Sequence, residues 1–184
     1  MKRLSKLLAL VLTGVMALTL LAGCAGGTAL SEKEILENFK DLHKIKGYHF
    51  EFTDDATNYA QKAANAVKVY YNELAEEEKA EFDAEELIYN INDYGSINDP
   101  AGVCEAVVPN GSSVAFELYC TKIENFRTPY FQKQMNYAIA QQLYYGAYAH
   151  LNPSVDYTEN VALSTQIETI GSDTYIFLIM RSIY

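Results

Sequence analysis

The sequence predicts an α+β fold: N-terminal helices, a β-hairpin, a further helix and a second β-hairpin, the strands forming an antiparallel sheet of about four strands with helices packed on it. Three observations carry this. Apolar residues recur at helical spacing over 32–46, through the alanine-rich stretch after Thr53, and again after Pro129. They alternate at period two over 103–108, 114–123, 161–170 and 173–184. Glycine-containing turns, around Gly111 and at Gly171-Ser172, separate the paired runs.

Each element has its own local reason. Ser31 followed by Glu34 has the pattern of a capping box, Ile35, Phe39 and Leu42 supply an apolar stripe, and Gly47 offers a stop, so a helix is expected over 32–46. Residues 48–52 read as a short extended link. Thr53-Asp54-Asp55 is expected to start the longest helix, with Ala56, Ala60, Ala63, Val67, Tyr70 and Leu74 facing inward. Its alanines would let a neighbour approach closely. Residues 76–86 hold seven acidic side chains against one lysine and read as a solvated face, after which Asp83 and Glu86 cap a short helix to about residue 92. Asn90, Asn92, Asp93, Asn98 and Asp99 resemble calcium-loop residues in type only. An EF-type loop begun at Asn90 would put Tyr94 and Ala101 where oxygen ligands are required.

In the first hairpin, 103–108 and 114–123 would pair so that Cys104 lies opposite Cys120 on the apolar face. The two are therefore either a cross-strand disulfide or two buried thiols. The helix after Pro129 runs to about His150 and carries two stripes. One holds Phe131, Met135, Ala138, Ile139, Gly146 and Ala149. Nearly opposite lie Tyr130, Tyr137, Tyr144 and Tyr148, the candidate binding surface if their rings are exposed and a second packing face if they are not. The last strand is apolar on both faces and should lie inside the sheet, away from its edges.

Ahead of this domain stands a leader with Lys2, Arg3 and Lys6, an apolar run over 7–21, and then Leu21-Ala22-Gly23-Cys24. It has the form of a secretory signal and is too short to be kept as a membrane span. The four residues resemble the lipobox of bacterial lipoproteins. That resemblance covers the leader and Cys24 only. It implies that residues 1–23 are removed, that the Cys24 thiol carries a diacylglyceryl group, and that 24–30 form a flexible lipidated tether to a single domain over 31–184. It further implies a location on the extracytoplasmic face of the cell membrane. Two acyl chains make a stable anchor where one is marginal.

Removing the leader takes three basic residues and no acidic one, which moves the formal charge from −10 to −13. Such a surface repels nucleic acid and anionic lipid headgroups, so neither is expected as an electrostatic partner. The 49% hydrophobic content and 15 tyrosines belong to a folded domain. There is no G-x-S-x-G, H-E-x-x-H, C-x-x-C or phosphate-binding glycine loop. No catalytic residue, metal ligand or cofactor is therefore assigned. His43 and His49, with Glu51, would meet only if the chain folds back at Gly47, and His150 lies far from them in sequence. These features favour a lipid-anchored binding or interaction module whose partner is an envelope protein or a glycan. An accessory subunit of a membrane complex and an envelope hydrolase with a dispersed site are the alternatives.

Overall fold

The structure, a computed structural model, describes residues 29–46, 52–94, 98–108, 116–128, 130–131, 133–150 and 160–183. Among the described residues, helices and strands follow in the order α1 (Glu32–Lys46), β1 (Phe52–Asp54), α2 (Tyr59–Glu73), α3 (Glu76–Glu81), α4 (Ala84–Tyr94), α5 (Val103–Val107), β2 (Phe116–Lys122), α6 (Met135–His150), β3 (Asn160–Ile170) and β4 (Asp173–Ile183), with a 3-10 turn at Ile123–Phe126. The fold is α+β, as expected, but the sheet is mixed. Its order is β1-β3-β4-β2, and β1 runs parallel to β3 while the other two pairings are antiparallel.

Strand β4 sits between β3 and β2, the interior position that its apolar faces call for. Ile176, Leu178 and Met180 join one core with Val161 and Leu163 of β3, Ile35 and Phe39 of α1, and Ile139, Leu143 and Tyr144 of α6. Tyr175, Phe177 and Ile179 join a second core with Ala60, Ala63 and Val67 of α2, Ile88 and Ile91 of α4, and Val103 and Val107 of α5. The domain thus has three layers, with helices on both faces of the sheet. In the β3–β4 hairpin Leu163 lies opposite Met180 and Ile167 opposite Ile176, the register that a two-residue turn at Gly171-Ser172 sets.

Local chemistry explains the elements that differ from expectation. Residues 53–55 do not begin a helix. Phe52–Asp54 pair with Val161–Leu163, and the α2 cap is Asn58, whose side chain accepts the Gln61 N–H at 3.0 Å. Asp55 is committed elsewhere, since both its oxygens accept from Arg181 Nε and Nη2 at 2.9 and 3.1 Å. Among the described helices the longest is α6 and not α2. Residues 103–107 form a helix and not a strand: Asp99 accepts the Val103 and Cys104 N–H groups at 2.9 and 2.6 Å, and Val103 and Val107, four apart, are buried together. Of the expected first hairpin, the second strand exists as β2, and it pairs with β4. The charged run behaves as a solvated face in α3, which buries none of its residues.

Gly171 has φ +62, and a Cβ placed there would lie 2.5 Å from the Tyr71 hydroxyl oxygen. Both the backbone and the space above it require glycine. The Gly171→Ala variant should be destabilised by about 1–2 kcal/mol from the left-handed backbone alone. Tyr71→Phe, which removes the nearest atom, should recover part of any loss beyond that figure. Chemical denaturation of the two single variants and the double variant checks this, and an unchanged Gly171→Ala midpoint would contradict it.

Candidate functional site

An open groove of about 500 Å³ follows the outer edge of β2, between α4 on one side and α6 on the other. Its walls are Asp83, Glu85, Glu86 and Tyr89 from α4 and the residue before it, Tyr119 and Thr121 from β2, and Gln142 and Gly146 from α6. The alternation of β2 explains how one strand contributes to both sides. Tyr119 points into the α1–α6 core and Cys120 into the α2–α4 core, and the groove opens where the two layers part at the sheet edge.

The carboxylates are not equivalent. Asp83 accepts the Glu85 N–H at 2.8 Å and so caps α4. Glu85 accepts the Thr121 hydroxyl at 2.6 Å and the Lys122 N–H at 2.8 Å, which ties α4 to the strand edge. Glu86 is exposed. Beside it Tyr89 presents its ring, 63% exposed, to the groove. Tyr119 is buried, and its hydroxyl bonds the Glu117 carboxylate. A side chain on Gly146 would meet the Tyr119 ring, the nearest carbon lying 3.4 Å from where its Cβ would stand, so glycine keeps this wall low. The site therefore offers one solvated carboxylate, two that are structurally employed, and aromatic surface. That combination suits binding of a cationic group with apolar neighbours.

Cys120 also lines the groove, and Cys104 lies on α5. Both are free thiols, half-buried. The hairpin that would have set them opposite one another does not form, so the cross-strand argument for a disulfide falls with it. Burial, followed by the nearby Glu85 and Asp83 charges, pushes the Cys120 thiol well above its ordinary range. Burial and Asp99 push Cys104 up to about 11. Neither is a poised nucleophile.

The tyrosine set divides. Tyr144 is 1% exposed and packs edge-on against Phe39 at 5.3 Å between ring centroids. Tyr130 and Tyr137 are exposed, at 87% and 41%. The Tyr148 side chain lies outside the described residues. Because α6 starts at Met135, Tyr130 is not on the helix at all, and the four do not form one exposed ladder. The exposed tyrosine of the helical turn after Tyr144 is Tyr145, whose hydroxyl accepts from Gln141 at 3.4 Å. His43 is buried, its ring 4.3 Å from that of Phe52. His49, Glu51 and Cys24 lie outside the described residues, as does the His150 side chain. Among the described residues no group of three acidic, histidine or cysteine side chains is arranged to hold a metal ion. No protein-family model, characterised protein or solved structure matches the chain.

The acidic wall of the groove was visible in the sequence only as a solvated stretch. Nothing in the spacing told that β2 would bring Tyr119 beside it. Raised thiol pKa values have a definite pH consequence. A thiol near 9 in the unfolded chain and higher in the folded one favours folding fully below pH 9, and this contribution is lost as pH rises through the folded value, about 11 for Cys104. Native protein at pH 8 should therefore alkylate with iodoacetamide at least tenfold more slowly than urea-unfolded protein, and stability should decline from pH 9 upward. Equal labelling rates in the two states would refute the burial argument.

Proposed function

We propose that the protein is a lipid-anchored extracytoplasmic binding module, held to the membrane through Cys24 and recognising a basic segment of an envelope protein in the groove between α4, β2 and α6. The groove carries the binding part of this reading: an exposed carboxylate, Glu86, stands beside an exposed aromatic ring, Tyr89, at the mouth of a concavity in a strongly acidic chain. A lysine or arginine of the partner would meet Glu86 and lie across the Tyr89 face, while its aliphatic stem covers apolar groove surface. The anchor part rests on the leader and Leu21-Ala22-Gly23-Cys24. Among the described residues no helix is long and apolar enough to cross a membrane. A glycan is the second reading, favoured by the exposed Tyr89 ring, which can stack on a sugar face without any charge.

Two experiments test the halves separately. Cys24→Ser should release the protein from the membrane fraction or leave an uncleaved precursor, whereas a correctly processed and still membrane-bound Cys24→Ser protein would end the anchor reading. For the groove, a fluorescent oligolysine peptide and a neutral oligosaccharide serve as probes in anisotropy titrations. Glu86→Gln and Tyr89→Ala should each weaken peptide binding about tenfold, the loss of roughly 1.4 kcal/mol. Their thermal midpoints should stay close to wild type, because both side chains are exposed. Peptide affinity unchanged in the double variant would remove the groove from the argument, and binding of the oligosaccharide alone would favour the glycan.

A further inference from the structure

We propose that the turn preceding α6 docks on the bilayer surface, with the Tyr130 ring at headgroup level, so that the domain touches the membrane at a second point besides its lipid. This rests on the lipid-anchor reading given above.

The chain leaves the domain at a fixed place. Asn136, in the first turn of α6, is 1% exposed and fully employed on the N-terminal segment. Its oxygen accepts the Ser31 N–H at 3.1 Å, and its amide donates to the Ala29 carbonyl at 2.9 Å and to Glu34 at 2.7 Å. Leu30 packs on the core just beyond. The expected tether over 24–30 is thus already held by the domain from Ala29. Five residue steps separate Ala29 from Cys24, a reach of about 17 Å even when fully extended. A lipidated Cys24 therefore keeps the start of α6 close to the bilayer.

Tyr130, six residues before Asn136, has the character of a membrane-interface side chain. Tyr130 is the most exposed large apolar side chain among the described residues, at 87%. It does not stand alone, because its ring meets Phe131 edge-on at 4.9 Å, and Phe131 in turn lies 5.6 Å from Phe126 and packs on the core. The ring is thereby presented on a supported base. Arg127 and Lys133 are exposed on either side of it in sequence. Arg127 pairs with Glu124 at 3.9 Å. Between Glu124 and Asp156 the sequence has no aspartate or glutamate, although the chain as a whole is acidic. Tyrosine settles at the interface because its ring is apolar and its hydroxyl remains in water.

The chain has no tryptophan, so a single introduced indole reports its own surroundings. Tyr130→Trp and, as a groove reference, Tyr89→Trp are prepared as mature protein, checked for the diacylglyceryl mass by intact mass spectrometry, and reconstituted in phosphatidylcholine vesicles with brominated acyl chains. Emission of the Tyr130→Trp variant should shift to the blue on reconstitution and be quenched at least twofold more than that of the Tyr89→Trp variant, with both thermal midpoints near wild type. Lipidated protein in which the indole at position 130 is quenched no more than the one at position 89 overturns the docking face while the anchor stands. Protein that carries no diacylglyceryl mass overturns the anchor and the docking face together.

Discussion

Strand β4 must be kept dry on both sides. Tyr175, Phe177 and Ile179 on one face and Ile176, Leu178 and Met180 on the other are all buried. Each contributes about 1.5–3 kcal/mol when water is removed from it. No single helix layer can supply that, which is why α1 and α6 pack on one face and α2, α4 and α5 on the other. The strand ends its apolar run at Arg181, whose guanidinium pairs with Asp55 through two hydrogen bonds and lies over the Tyr59 ring at 4.9 Å. A charge at the margin of the core is thus paired and covered. In return the pair fixes the junction between β1 and α2.

Central placement of β4 leaves β2 at one edge and, beyond the short β1, part of β3 at the other, and side chains from α1, α4 and the α2 cap bond both. On β2, the Asn92 side chain bonds both the N–H and the carbonyl of Leu118, imitating a neighbouring strand, and Glu85 takes the Lys122 N–H. On β3, beyond the short β1 pairing, Asn58 donates to the Thr165 carbonyl and Glu32 accepts the Ile167 N–H at 2.6 Å. Exposed strand edges invite pairing with other chains, and these contacts occupy the groups that would do so. The candidate groove is a by-product of this arrangement. Where α4 leans on β2 through Glu85 and Asn92, the space between them and α6 stays open, with Glu85, Glu86 and Tyr89 along its α4 side.

The elements most legible in the sequence were those whose pattern is local. The Gly171-Ser172 hairpin needed only a turn and alternation, and α1 needed only its Ser31 cap and the Ile35, Phe39 stripe. What failed depended on contacts distant in sequence. Residues 103–108 alternate as a strand would, and their helix is decided by the Asp99 cap and by burial of Val103 and Val107 against α2. Residues 52–54 joined the sheet because Val161–Leu163 offered an edge more than a hundred positions away. On α6, Met135, Ala138 and Ile139 of the expected inner stripe do pack on the core, but Asn136, Ala140, Leu143, Tyr144 and Ala147 are buried as well, which encloses the helix over more than one side. A helix covered in this way has no single apolar face to read. The groove suffered the same limit, since its acidic wall and its tyrosines come from segments that only the sheet brings together.

Helix α6 connects the two surfaces of interest. Its first turn holds Asn136 against the N-terminal segment, its middle packs Ile139 and Tyr144 against α1, and Gln142 and Gly146 border the groove. Ala138, Ala140 and Ala147 are fully or nearly buried, so the helix lies close against its neighbours with little side-chain length to adjust. At 1.5 Å per residue, Gln142 and Gly146 stand about 10 and 16 Å along the axis from Met135. The distance from the clamped N-terminal segment to the groove is therefore set by a packed, continuous helix and not by a linker. Whatever holds Ala29 also determines where the groove stands.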